Sequence, residues 1–317
     1  MKRRIALSLA IGCAYGLLTY WLLVLRNPAT QASDFTYPWL AARAVAHGVD
    51  PYSDVRAHPT PHEHALFYPM PAAFVALPFA WLPVQIAGAA FVGVGCALLA
   101  FAITKRDSWR LLIFATAAAF QAAWSVQWSP LLMASALWSP ALGLIVAKPN
   151  LALPLLAYQT TRRAILYAII GGGALLAVSL ALEPAWPLHW YQTIHNAPIA
   201  SQYRVPILTP WALMLLLAAL RWRTRDGRLV LAMACVPQNF FFYDQLPLFL
   251  VARTRLQLFF MVIVSWLARM IPFFHPMRAV DNAELSVKYI PLMMLGAYLP
   301  ALVCIFERPN VESADDI

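Results

Sequence analysis

The chain has 317 residues, of which 62% are hydrophobic and only 12% charged, and its mean hydropathy is +0.64. A soluble domain carries about 25% charged residues, so a soluble fold is excluded and a polytopic helical membrane protein is expected. The net charge of +9 does not point to nucleic acid, because membrane proteins gather lysine and arginine on their cytoplasmic side.

The apolar runs continue for about 18–21 residues, which suits membrane helices and not the short alternating segments of a closed barrel. Residues 5–25 follow Lys2-Arg3-Arg4. A signal peptide has the same charge layout, but its apolar core is about 7–15 residues, so a retained first helix is expected. Residues 33–83 are the longest polar interruption of the chain, and the first outer loop, 26–68, forms the expected catalytic face. Inside it, residues 34–47 read as a helix, capped by Ser33 or Asp34 and stopped at Gly48. A carboxylate at Asp34 would then sit where the helix dipole favours its ionised form.

Further candidate spans are 69–104, 111–126, 129–158, 164–182, 208–222, 229–252, 256–274 and 287–306. The run 69–104 is too long for one crossing and carries Pro71, Pro78 and Pro83. It predicts a short interfacial helix followed by a full span from about residue 84. The run 129–158 is broken at Ser139-Pro140 and at Lys148-Pro149. The run 229–252 is interrupted by Pro237-Gln238-Asn239, which predicts a hairpin of two short helices. Non-helical backbone at membrane depth is tolerated where it is buried in protein or lines a cavity, so these breaks predict a polar cavity open to the outer side. The expected fold is all-α and polytopic, one integral membrane domain over 1–317 with about 9–11 transmembrane helices and no internal repeat.

Basic residues cluster at Lys2/Arg3/Arg4, Lys105/Arg106/Arg110, Arg162/Arg163, Arg221/Arg223/Arg225/Arg228 and Arg253/Arg255. Placing all of them in the cytoplasm gives a cytoplasmic N-terminus and leaves 26–66, 183–207, the tip near 237–244 and 275–287 outside. All seven histidines (His47, His58, His62, His64, His189, His195, His275) fall in those outer loops. The four cysteines lie in apolar spans without a CxxC pair, which reads as buried free thiols. Trp39, Trp81, Trp124, Trp128, Trp186 and Trp190 lie near predicted span ends, as an aromatic belt requires.

Several residues could carry chemistry. Asp34, held at a membrane face, suits a general base that deprotonates a sugar hydroxyl; as a purely structural residue it would cap the following helix. Lys148 and Arg269 fall inside apolar runs, where a charge costs about 2.5–3.5 kcal/mol, so they suit the phosphate of a lipid. His58, His62 and His64 surround Glu63, but Pro59 and Pro61 break any helical face, which disfavours a metal and leaves contact with a phosphate open. Gln127, in a short polar break, and Tyr243 with Asp244 could bind a sugar or simply satisfy helix ends. No Walker loop, GxGxxG or GxSxG context is present, and no cytoplasmic domain is available for a nucleotide.

The string Asp34, Tyr37, Ala41-Ala42, His47-Gly48-Val49-Asp50-Pro51-Tyr52 and Phe67-Tyr68-Pro69-Met70-Pro71 resembles glycosyltransferase family 87. The second proline of that pattern is displaced here by Met70. Gln127, Lys148-Pro149 and the Pro237-Gln238 turn are similar to later features of the family. The resemblance covers residues 30–160 well and 235–252 loosely. It implies a GT-C type enzyme of a bacterial-type plasma membrane, with its site on the extracytoplasmic side. The donor would be a polyprenyl monophosphate sugar and the acceptor a glycolipid or envelope glycan, with inversion and without a metal. Asp34 would be the base, Lys148, Arg269, His58 and His62 would serve the donor phosphate, and Tyr37, Tyr68, Gln127, Tyr243 and Asp244 would contact substrate. Two other readings compete: a polytopic transporter or lipid flippase of the cell envelope, and a non-catalytic scaffold.

Overall fold

The computed structural model describes residues 1–26, 31–58, 65–105, 107–196, 204–238, 242–274 and 282–307. The protein is an all-α polytopic membrane protein. Among the described residues, five helices are long and apolar enough to cross a membrane: Lys2–Leu25, Val84–Ile103, Arg162–Leu182, Arg255–Phe274 and Val287–Phe306. The other apolar runs are broken into short α-helices and 3-10 turns.

Helix α1 (Lys2–Arg26) is the predicted first span. A 3-10 turn at Ser33–Phe35 leads into α2 (Thr36–Ala46), which ends where Gly48 adopts φ +68. Helix α3 (Pro51–Ala57) starts on Asp50, whose carboxylate accepts from the backbone N–H groups of Tyr52 and Ser53. Helix α4 (Pro71–Ala76) and a 3-10 turn at Leu77–Phe79 precede α5 (Val84–Ile103), so the interfacial helix and the start of the span fall where the prolines predict. The expected continuous span 111–126 is instead a 3-10 segment, Ser108–Ala115, followed by α6 (Ala117–Trp124). Thr116 makes the break: its hydroxyl donates to the Ile113 carbonyl at 2.7 Å and accepts from the Ala119 N–H at 3.1 Å, offering the backbone a local alternative to the helix.

Helix α7 (Ser129–Leu137), a 3-10 segment at Ser139–Ala147 and α8 (Pro149–Tyr158) follow with both predicted breaks in place. Next come the span α9 (Arg162–Leu182) and α10 (Trp186–His195). Helix α11 (Ala212–Leu216) continues as 3-10 turns to Arg221. Helix α12 (Arg225–Cys235), capped by the Thr224 hydroxyl, and a 3-10 segment at Tyr243–Val251 form the two arms of the predicted hairpin. The chain closes with α13 (Arg255–Phe274), α14 (Asn282–Met293), a π-helical turn at Met294–Tyr298 and α15 (Leu299–Phe306).

The fold gathers into two compact units. Unit 1 comprises 1–105, 122–149 and 162–197; unit 2 comprises 106–121, 150–161 and 198–317. In unit 1, α1 lies along α5, and α9 lies against the 3-10 segment 139–147. Small residues permit the second contact: a Cβ on Gly143 would come within 2.5 Å of the Gly171 backbone.

The basic clusters also have a structural role, because several of their arginines close the C-terminal ends of helices. Arg4 donates to the Phe101 carbonyl at 2.7 Å in unit 1. In unit 2, Arg221 donates to the Phe306 carbonyl at 3.1 Å and Arg228 to the Ala157 carbonyl at 3.0 Å. Cations at these ends satisfy orphan carbonyls and complement the negative end of the helix dipole.

Two expectations are corrected. Cys13 and Cys235 lie exposed on the protein surface, and only Cys96 and Cys304 are buried; a residue in an apolar span can face lipid as well as core. Trp128 and Trp186 are buried in the protein, so they belong to the core of unit 1 and not to an interfacial belt.

The glycine contact yields a prediction. Gly143→Val should destabilise the protein by about 1–3 kcal/mol through overpacking. Gly173→Ala should be neutral or stabilising, since nothing lies within 4 Å of a Cβ there. Thermal denaturation in detergent of the two variants beside the wild type checks the pair.

Candidate functional site

Three separate breaks of unit 1 converge. Asp34 stands in the 3-10 turn before α2, Gln127 between α6 and α7, and Lys148 between the 3-10 segment 139–147 and α8. The Lys148 ammonium donates to Oε1 of Gln127 at 2.9 Å. The Gln127 amide, through Nε2, donates to Oδ2 of Asp34 and, at 3.3 Å, to the Ser125 carbonyl. Gln127 is 1% exposed and Lys148 8% exposed, whereas Asp34 is half-buried. The cation is thus inside the protein, and the carboxylate is the member of the chain that solvent or a substrate can approach.

The direction of this chain follows from donor chemistry. An ammonium has three donors and no acceptor, so it takes the carbonyl side of the Gln127 amide. The NH2 side is then left for Asp34, and an ionised carboxylate is acceptor-only. Lys148 thereby fixes which end of Gln127 faces Asp34. The capping position of α2 is Phe35, which makes no side-chain cap bond. The Asp34 carboxylate accepts from Gln127.

Backbone strain marks the same places. Among the described residues, the only non-glycine residues with positive φ are Ser33 (φ 48), Val126 (φ 51) and Phe242 (φ 68). Each directly precedes a residue singled out from the sequence: Asp34, Gln127 and Tyr243. The left-handed conformation costs an L-residue about 1–2 kcal/mol, and for a β-branched residue such as Val126 it is a genuine outlier. Such conformations persist where the surroundings over-determine them, as functional sites do.

Aromatic rings brace the two halves of the site. Phe35 stacks on Phe91 at 4.4 Å, Phe91 meets Trp128 edge-on at 4.9 Å, and Trp128 meets Tyr68 at 5.7 Å. Phe35 and Trp128 are the chain neighbours of Asp34 and Gln127, so these contacts set the spacing of the polar pair. Tyr37 is buried in an apolar cluster with Leu40, Tyr52, Leu66 and Met70, and Tyr68 packs on its side. The Tyr52 hydroxyl donates to the Tyr68 carbonyl at 3.2 Å. Burial, and after it the nearby Asp50 carboxylate, push the Tyr52 phenol well above its ordinary range, so it stays a donor at any physiological pH.

The other predicted residues lie elsewhere. His58 is exposed, and its ring contacts the Asp54 carbonyl at 2.8 Å and the Asp54 carboxylate at 3.5 Å; it is a local helix-end contact. His62, with Glu63 and His64, lies outside the described residues. Arg269 belongs to unit 2, where its Nε donates to Gln121 Oε1 at 3.3 Å. Tyr243 and Asp244 are buried in unit 2, with Asn150 Nδ2 at 3.4 Å from the Asp244 carboxylate. Beside them Gln245 donates to Gln238 Oε1 at 2.7 Å, and Gln238 donates to the Tyr298 hydroxyl at 2.8 Å.

Sequence reasoning missed Asn150, Gln121 and Tyr298. A lone polar residue in an apolar run was the available signal for Gln121, the same signal that exposed Arg269. Tyr298 gives no such signal, because its ring reads as apolar.

Lys148→Met and Gln127→Leu should be strongly non-additive in stability. A coupling of about 1–3 kcal/mol is expected for a charge-assisted hydrogen bond in a buried site. A double-mutant cycle on thermal unfolding measures it, and additivity within about 0.5 kcal/mol would mean that the two side chains do not meet. Comparison of the chain with protein-family models, with curated proteins and with solved structures returns no match.

Proposed function

We propose that the protein is an integral membrane glycosyltransferase of the GT-C type. It moves a sugar from a polyprenyl monophosphate donor to a glycolipid or envelope glycan acceptor, with inversion. The reaction takes place on the extracytoplasmic side of a bacterial-type plasma membrane, and the N-terminus is cytoplasmic. The observation that carries this reading is the hydrogen-bonded chain Lys148–Gln127–Asp34, which ends on a half-buried carboxylate. The first-loop resemblance to glycosyltransferase family 87 supports it, since the acid of that loop is the base in the family.

In this reading Asp34 takes the proton of the acceptor hydroxyl. The hydroxyl oxygen attacks the anomeric carbon, and the bond from that carbon to the phosphate oxygen breaks with its electron pair passing to the lipid phosphate. One displacement inverts the centre and needs one base. Gln127 holds the carboxylate in a fixed orientation by donating to one of its oxygens. Lys148 fixes Gln127 and supplies a buried positive charge, which can stabilise a leaving phosphate. Tyr37 and Tyr68 of unit 1 are assigned to substrate contacts.

Asp34→Asn should fold and insert like the wild type and lose about 10²–10⁴ in transfer rate, the usual contribution of a general base. The assay follows labelled sugar from a polyprenyl phosphate donor into envelope lipids; wild-type turnover by the purified variant would remove Asp34 from the mechanism. Transfer should also survive excess EDTA. Asp34 has no acidic neighbour in sequence, and among the described residues no three His, Cys, Asp or Glu side chains come together as metal ligands. Loss of turnover in EDTA that magnesium or manganese restores would show a metal at the phosphate in place of side-chain cations.

A further inference from the structure

A cavity lies at the other end of α2. It measures about 240 Å³, within unit 1, and is lined by Arg43, Ala46, His47, Ala80 and Trp81. Arg43 occupies the last turn of α2, and its guanidinium lies over the Trp39 ring at 4.8 Å. The Trp39 indole N–H donates to the Leu82 carbonyl at 3.2 Å. The stack and this bond hold the guanidinium against the turn that enters the span α5, and among the described residues no carboxylate pairs with it. His47 turns its Nδ1 to the Arg43 carbonyl at 3.1 Å, which leaves Nε2 as the ring's other polar atom.

Trp81 sets the depth. It is 74% exposed and stands three residues before α5 begins, which is the level at which tryptophan meets lipid headgroups. The cavity therefore joins a permanently charged, pre-oriented guanidinium to a bare indole wall at the membrane–water boundary. A guanidinium fork matches phosphate oxygens, and the indole wall suits the apolar part of the same molecule.

We propose that this cavity binds the phosphate headgroup of an anionic membrane lipid, with Arg43 on the phosphate and Trp81 against its glycerol and upper acyl chain. The assignment is independent of the glycosyltransferase reading and does not use Asp34, Gln127 or Lys148.

The test uses full-length protein in detergent, titrated with phosphatidylglycerol, phosphatidylcholine or inorganic phosphate, with bound lipid read by native mass spectrometry. Wild type should bind phosphatidylglycerol about tenfold more tightly than phosphatidylcholine, as a charge-assisted contact implies. Arg43→Gln should erase that preference, whereas Arg163→Gln, a basic residue at the start of α9, should keep it. Trp81→Ala should weaken both lipids. Equal binding of the two lipids by wild type, or undiminished phosphatidylglycerol binding by Arg43→Gln, would overturn the proposal. So would displacement of phosphatidylglycerol by millimolar inorganic phosphate, which would make the cavity a site for free anions.

Discussion

The ammonium of Lys148 can only donate hydrogen bonds, and it is buried in a chain otherwise built to meet lipid. Everything around it answers to that constraint. It needs an acceptor inside the protein, and Gln127 Oε1 supplies one at 2.9 Å. Gln127 is then fixed end to end, and its amide reaches Asp34. A buried cation without such a partner would cost several kcal/mol. With it, the ammonium becomes the anchor of a polar chain that crosses three segments of unit 1.

This arrangement explains why the helices break where they do. A continuous helix from 129 to 158 would bind every backbone group internally but would lack the extended residue that Lys148 forms, with φ −142 and ψ 86. The break lets the side chain turn toward Gln127. Val126 accepts a left-handed backbone for the corresponding reason on the other side. Ser33 does the same before Asp34. The strain is offset by the rigid apolar frame of Phe35, Phe91, Trp128 and Tyr68. Precise polar geometry here depends on well-packed aromatic neighbours, as sites built on rigid elements require.

Unit 2 uses the same device with different residues. Phe242 is left-handed and fully buried, and the 3-10 segment that follows it carries Asp244 and Gln245 into the interior. Gln238 and Tyr298 complete a buried polar network there, and Tyr298 ends a π-helical turn. π-turns inside helices occur frequently at functional sites. Side chains from just after α12, the 3-10 segment and the last helix pair thus hydrogen-bond to one another in the interior of this unit.

The sequence by itself determined the class of the protein and most of its elements. Long apolar runs can satisfy their backbone in lipid only as helices. Prolines placed the start of α5 near residue 84 and the breaks of 129–158, because proline lacks the N–H that a helix needs. Charges inside apolar runs marked Lys148 and Arg269, since a charge in hydrocarbon demands a reason, while a helix start in the polar first loop marked Asp34 and a short polar break marked Gln127. Thr116 shows the limit: a threonine breaks a run only when its hydroxyl finds the right backbone partners, and that is a matter of local geometry. Tertiary structure alone decided the partners. It joined Lys148 to Asp34 through Gln127, across 114 positions of chain, and gave Arg269 to Gln121 in the other unit. It also placed Trp128 in the core and left Trp81 bare at the mouth of α5. Hydropathy measures what a segment prefers to contact, whereas pairing depends on where folding brings distant segments, and no single stretch of sequence carries that information.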